Sequence, residues 1–119
     1  MEDVILVGRS LGSAIAAELA AYACSHLGKN PAALVLISAF ESLKSIVRHI
    51  AGRVIAFFLR DRLRTIEVIK LVTCPTLIIH GRKDEVVPWQ HGHSIFRNAA
   101  GPASLMLSDE MTHDSFDFV

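Results

Sequence analysis

The chain has 119 residues, of which 51% are hydrophobic and 20% charged, so it is expected to form one globular domain and not a disordered or fibrous chain. Its 12 basic and 12 acidic residues balance, and nucleic acid is therefore not expected as a partner. The longest central apolar run, VIAFFL, is far shorter than the roughly 20 residues of a membrane-spanning helix.

Four apolar runs predict strands, and the segments between them predict helices. The run VILVG comes first, followed by an alanine-rich helix over residues 11 to 26 and then by the strand AALVLIS. An amphipathic helix from Glu41 to Leu63, with a break expected at Gly52, and a short helix in TIEVIKLVTC lead to the strand PTLIIHG. A helix in WQHGHSIFRNA and the strand ASLMLS complete the order. This alternation predicts an α/β fold, a mostly parallel sheet with helices on both faces.

The pentapeptide Gly8-Arg9-Ser10-Leu11-Gly12 joins the first strand to the first helix. Glycines on both sides of Ser10 predict a sharp turn, over residues 6–14, whose backbone needs the space that a Cβ atom would fill. Such a turn places the Ser10 hydroxyl at a helix N-terminus and makes the Leu11 N–H a donor to an oxyanion. The alternative is a tight glycine turn in which Ser10 only caps the helix.

A serine nucleophile needs a histidine to accept its proton and a carboxylate to orient that histidine. Asp84 follows the third strand, in a loop over residues 80–88, and His113 follows the fourth, in a loop over residues 108–116. Because the carboxyl ends of parallel strands share one edge of the sheet, we expect both side chains to lie near Ser10. Glu85 competes for the acid role, and Asp84 alone is also compatible with a turn-capping residue.

Five other histidines compete with His113: His26, His49, His80, His91 and His93. The first two lie in predicted helices, and His80 lies inside a strand, where a hydrogen-bonded core histidine is the more common role. The H-x-H pair of the last two, taken with His80, suggests a metal site. No cysteine or acid completes that set, so we expect neither a metal nor a cofactor.

Two features bear on where the chain resides. Cys24 and Cys74 lack C-x-x-C spacing, which indicates buried thiols in a reducing, cytoplasmic compartment. Between Lys44 and Arg64 there are six basic residues against one acid, Asp61. Such a run is usually a solvated face, and the alternative is association with a membrane surface or an acidic partner.

The segments VILVGRSLGSAIAAELA, CPTLIIHGRKDEVVPWQHGHSIF and MTHDSFDF together resemble the carboxyl-terminal half of the α/β-hydrolase superfamily. More narrowly, they are similar to the depalmitoylase and bud-emergence-type hydrolases. The resemblance implies that Ser10 is the nucleophile, Asp84 the acid and His113 the general base in hydrolysis of an acyl ester or thioester. It is loosest from residue 42 to 63, within a cap-like helical region at 41–70, where Phe57 and Phe58 are expected to line an acyl pocket. Thr112 stands where many relatives have glycine.

The resembling fold has further strands before the strand that leads into the serine turn, and they pair with that strand and supply a second oxyanion donor. We therefore expect residues 1–119 to be a partial domain, either a fragment or one member of an assembly. An exposed apolar edge on the first strand predicts self-association. Two alternatives to the esterase remain open, a non-catalytic homologue that acts by binding and a serine peptidase of the same fold.

Overall fold

The structure is a computed structural model, and it describes residues 3–57 and 63–113. Four parallel strands form one sheet there, β1 (Ile5–Arg9), β2 (Ala33–Ile37), β3 (Thr76–Gly81) and β4 (Ala103–Ser108). Their order across the sheet is the same as their order along the chain. Arg9 pairs with Ile37, which pairs with Ile79, so the carboxyl ends of the strands lie side by side. The predicted α/β fold with a parallel sheet is confirmed.

Five helices connect or follow these strands in the described ranges: α1 (Leu11–Tyr22), α2 (Leu43–Ala51), α3 (Arg53–Phe57), α4 (Thr65–Val68) and α5 (Trp89–Asn98). A π-helical turn, Ala23–Leu27, extends α1, and a 3₁₀ turn, Ile69–Leu71, extends α4. The Ser42 Oγ accepts a hydrogen bond from the Ser45 N–H and so caps α2. Gly52, at φ 96°, separates α2 from α3, which confirms the predicted break.

Small side chains bring α1 close to the sheet. Ala17 and Ala20 are fully buried against Leu34 and Leu36 of β2, where larger side chains would hold the helix further away. On α5, Ile95 belongs to the same core cluster. This core therefore lies between the sheet and the helices α1, α4 and α5, and α4 contacts both of the other two. None of the helices in the described ranges is both long and apolar enough to cross a bilayer.

The opposite face of the sheet carries a smaller cluster, in which Ile37, Ile79 and Met111 are buried. Ile5 and Val7 point to this face from β1 and are 60% and 61% exposed. Helices were expected on both faces, and the described helices that contact the sheet, α1 and α5, share the other one. Among the described strands β1 has one neighbour and lies at an edge of the sheet, as the self-association prediction requires, but that association stays a prediction.

Candidate active site

Ser10 occupies a strained turn between β1 and α1. Its backbone lies at φ 52° and ψ −118°, a region that side-chain-bearing residues adopt at a cost of about 1–3 kcal/mol. The Ser10 N–H donates to the Ile37 carbonyl at 2.8 Å, and this bond fixes the turn to the end of β2. Cβ placed on Gly8 would overlap the Gly12 carbonyl oxygen and lie 2.7 Å from the Ser13 Cα. Glycine is therefore required at position 8.

Gly12 does not share that requirement. A Cβ at this position would meet nothing within 4 Å among the described residues. The prediction that both glycines make room for neighbouring backbone is therefore right for Gly8 and wrong for Gly12. The difference is geometric, because α1 turns its first residues back over β1 and only the strand residue lies beneath them.

A continuous hydrogen-bonded chain links the three side chains that the sequence singled out. The Ser10 Oγ lies 3.1 Å from the His113 Nε2, and the His113 Nδ1 lies 2.9 Å from the Asp84 Oδ2. An ionised carboxylate can only accept, so the imidazole proton is on Nδ1. The Nε2 lone pair then faces the serine hydroxyl, which is the arrangement that a general base needs.

The loop after β3 fixes the orientation of the Asp84 carboxylate. Its Oδ1 accepts hydrogen bonds from the Val86 N–H at 2.9 Å and the Val87 N–H at 2.8 Å, which leaves Oδ2 for His113. The Asp84 side chain is fully buried, whereas Glu85 is exposed. The sequence did not decide between Asp84 and Glu85 as the partner of the histidine. In the structure it is Asp84 that contacts His113.

His80 supports this loop from below. Its side chain is fully buried, its Nε2–H donates to the Val87 carbonyl at 2.7 Å, and its Nε2 lies 3.6 Å from the Asp84 Oδ2. A Cβ on Gly92 would lie 2.9 Å from the His80 Nδ1, so this glycine lets α5 approach the imidazole closely. Burial lowers the pKa of His80, and the contact with Asp84 therefore joins a carboxylate to a neutral imidazole. The predicted hydrogen-bonded core histidine is confirmed.

Two further residues, which the sequence reasoning missed, hold the His113 loop. Arg9 Nη2 donates to the His113 carbonyl oxygen, so the residue directly before Ser10 holds the backbone of the histidine. Gly81, at the end of β3, lies so close to Met111 that a Cβ would overlap the Met111 carbonyl. A glycine directly before a loop containing a predicted acid was the available signal for this close approach.

The remaining histidines have separate roles. The His91 Nδ1 accepts a hydrogen bond from the Glu41 N–H at 3.0 Å, and the His49 Nε2 lies 3.2 Å from the Glu85 carbonyl. Both contacts join the segment after β2 to the acid loop or to α5. The described residues contain no group of three histidines, cysteines or acids able to hold a metal ion.

A cavity of about 540 Å³ opens beside His113. Its lining combines residues of the loop that carries Asp84 (80–88, the acid loop) with two residues of the loop that carries His113: Arg82, Lys83, Asp84, Glu85, Val86, Thr112 and His113. Phe57, which the sequence placed at the acyl pocket, instead lines a separate cleft with Lys44, Arg48 and Arg53. Phe58 and residues 114–116 lie outside the described ranges.

Buried imidazoles predict that stability falls in mild acid. Burial lowers the pKa of His80 and of His91 below the ordinary value of about 6.5. Below that value the unfolded chain binds more protons than the folded chain, so stability is retained above about pH 7 and falls as the pH decreases through the lowered values. We expect the Tm, followed by circular dichroism, to drop over the interval below about pH 6.5.

A matched pair of variants tests the source of this drop. His91→Gln is expected to make the fall of Tm shallower, whereas His93→Gln, an exposed residue on the same helix, is expected to leave it unchanged. A Tm that is constant across this interval would contradict the prediction.

A parallel sheet with a serine on a strained strand-to-helix turn, followed in the chain by an acid and then a histidine, defines the α/β-hydrolase class. Acetyl xylan esterase 1 from Thermoanaerobacterium shares this fold, with a TM-score of 0.74 and 17% identity over 98% of this chain and 42% of the esterase. The chain belongs to the serine hydrolase (FSH1) family, whose model matches residues 4–114.

Relatives of known sequence extend well beyond this chain. The chain is 29% identical to human alpha/beta hydrolase domain-containing protein 17B over 116 residues, which are 98% of the chain and 37% of the relative. It is 31% identical to zebrafish (Danio rerio) lysophosphatidylserine lipase ABHD12 in an alignment 114 positions long that covers 82% of the chain and 29% of the lipase. Across such relatives the chain spans 26% to 37% of their length.

Proposed function

We propose that the chain carries the acyl-transfer machinery of a serine hydrolase that cleaves acyl esters or thioesters. The observation that supports this most directly is the hydrogen-bonded chain from the Ser10 Oγ through His113 to Asp84. Membership of a serine hydrolase family agrees with it.

In the proposed reaction the Ser10 Oγ attacks the acyl carbon while its proton moves to the His113 Nε2. The carbonyl oxygen becomes an oxyanion that accepts a hydrogen bond from the Leu11 N–H, at the start of α1. Collapse of this intermediate breaks the bond to the leaving oxygen or sulfur, which takes the proton from His113. Water then adds to the acyl-enzyme and gives a proton to His113. Collapse of this second intermediate breaks the bond to the Ser10 Oγ, which takes the proton back from His113 as the carboxylic acid leaves. Asp84 keeps the imidazole proton on Nδ1 throughout and stabilises the imidazolium.

The substrate class follows from resemblance. The segments around Ser10, Asp84 and His113 resemble depalmitoylase-like hydrolases, which favours a long-chain acyl thioester, and one relative is named for a lipid substrate. The same three side chains also cleave amides on this fold, so a peptidase differs from this proposal in substrate and not in machinery.

A fluorophosphonate probe tests the nucleophile, because it forms a covalent bond to an activated serine oxygen with loss of fluoride. We expect the chain to be labelled and Ser10→Ala to lose labelling by at least about 10³-fold. Ser104→Ala, at an exposed serine on β4, is the matched control and is expected to label normally. Protection by palmitoyl thioester but not by an N-acyl peptide amide would favour the thioester substrate.

The alternative to a hydrolase is a non-catalytic homologue that acts by binding. A well-folded chain that the probe does not label would support this candidate and contradict the hydrolase.

A further inference from the structure

The helices α2 and α3 form a basic hairpin, residues 43–57, beside the candidate active site. It carries Lys44, Arg48 and Arg53, and no aspartate or glutamate lies between Glu41 and Asp61. The chain as a whole has no net charge, so this hairpin concentrates positive charge on one part of the surface. Such a local excess of positive charge attracts an anionic surface even though the chain has no net charge.

The same hairpin exposes large apolar side chains around the Gly52 turn. Phe57 and Val54 are 76% and 75% exposed, the highest fractions among the exposed large hydrophobic residues described, and Ile50 and Ile55 are 62% and 54% exposed. In α3 only Ala56 is buried. Apolar residues at this density on a short basic element are unfavourable in water and typical of elements that lie in a bilayer interface.

The cations and the apolar residues converge on one cleft. Lys44, Arg48 and Arg53 surround a volume of about 320 Å³ together with Ala56 and Phe57. At the surface of a bilayer, lipid phosphates lie directly above acyl chains. Cationic groups beside an aromatic ring suit this boundary, because the cations can contact the phosphates while the ring contacts the acyl chains.

Charge separates this surface from the other exposed apolar patches. The outer face of α1 exposes Leu11, Ile15 and Leu19, and the only charged residue on that helix is Glu18. That patch could bury its apolar side chains against another protein element, but it has no cation to attract lipid phosphates. Only the basic hairpin, among the patches in the described ranges, combines exposed apolar side chains with an excess of cations.

We propose that the basic hairpin docks the protein onto an anionic lipid bilayer, with Val54 and Phe57 inserted at the interface and Lys44, Arg48 and Arg53 against lipid phosphates. His49 contacts the Glu85 carbonyl at 3.2 Å, so docking brings the edge of the sheet with the acid loop towards the membrane. An acyl group held in a membrane would thereby lie near the site. The docking surface itself uses no residue of the hydrogen-bonded chain and does not depend on the proposed hydrolysis.

Flotation of the Ser10→Ala chain with lipid vesicles on a density gradient tests the proposal, because protein aggregates sink whereas vesicle-bound protein rises. We expect flotation with phosphatidylcholine vesicles that contain phosphatidylserine, little flotation with phosphatidylcholine alone, and weaker binding as salt is raised. A combined Lys44→Gln, Arg48→Gln, Arg53→Gln variant is expected to bind about 10²-fold more weakly. Val54→Ser with Phe57→Ser is also expected to reduce flotation.

The matched control replaces three exposed cations elsewhere, as Lys29→Gln, Lys70→Gln and Arg97→Gln, and is expected to float like the parent chain. Equal loss in this control, or flotation that does not depend on phosphatidylserine, would overturn the proposal. Displacement by soluble glycerophosphoserine at matched ionic strength would also overturn it, because that result indicates a pocket for the free headgroup and not a docking surface. Since Ser10 is absent throughout, these outcomes are independent of catalysis.

Discussion

Replacing Asp84 with asparagine is expected to lower the rate of acyl transfer by about 10⁴-fold while the fold is retained. The asparagine Oδ1 still accepts from the Val86 and Val87 N–H groups, so the loop keeps its geometry. The amide nitrogen then faces the His113 Nδ1 and donates to it, which moves the imidazole proton to Nε2. In that tautomer the histidine can no longer accept the Ser10 proton.

The rate is measured as fluorophosphonate labelling or as ester hydrolysis, with the Tm recorded in parallel. Glu85→Gln is the matched control, because it neutralises the neighbouring exposed carboxylate and leaves the backbone carbonyl that contacts His49. We expect this variant to react within about threefold of the parent chain, a change of less than 1 kcal/mol. Equal losses in both variants, or a greater loss in Glu85→Gln, would contradict the assignment of Asp84.

Gly8→Ala is expected to destabilise the fold by at least about 3 kcal/mol, because its Cβ overlaps backbone atoms of Gly12 and Ser13 that cannot move without displacing α1. The same change at Gly12 meets no neighbour among the described residues. Because alanine favours a helix more than glycine, Gly12→Ala is expected to be neutral or to stabilise by up to about 1 kcal/mol.

Urea unfolding at equilibrium measures both effects. The two glycines lie in the same pentapeptide, Gly8 at the end of β1 and Gly12 at the start of α1. Differences in strand and helix propensity amount to about 1 kcal/mol, so a larger difference between the two variants would come from steric overlap. A Gly8→Ala chain as stable as Gly12→Ala would contradict the steric overlap at the turn over residues 6–14.

The positions of the strands could be predicted from the sequence because each is a continuous apolar run bounded by glycine, proline or polar residues. Parallel pairing then places the ends of β1 and β3 at one edge, which is why Ser10, Asp84 and His113 could be grouped before any coordinates. The break between α2 and α3 could be predicted because a glycine, Gly52, interrupts the helical pattern. No other residue type so readily adopts φ 96°.

The remaining features depend on contacts between distant residues. Asp84 and Glu85 are equivalent by position, and only burial and the two N–H donors separate them. The contacts of Arg9 and Gly81 with the His113 loop join segments about 100 and 30 residues apart. The sequence carried a signal only for Gly81, as a glycine directly before the loop of Asp84. The predicted acyl pocket at Phe57 followed an apolar stripe, but the orientation of α3 directs that ring to a basic cleft.

The three reacting groups follow strands that differ in their number of neighbouring strands. Asp84 follows β3, which has a neighbouring strand on each side, and Gly81 of that strand presses against the segment that carries His113. Ser10 follows β1, which has a single neighbour. Local opening generally begins where a strand is least supported. In the described sheet His113 also follows an edge strand, β4, whereas Asp84 follows a central one. Opening at either edge on warming would therefore break the hydrogen-bonded chain while the central strands stay paired, and heat inactivation of this chain would precede global melting.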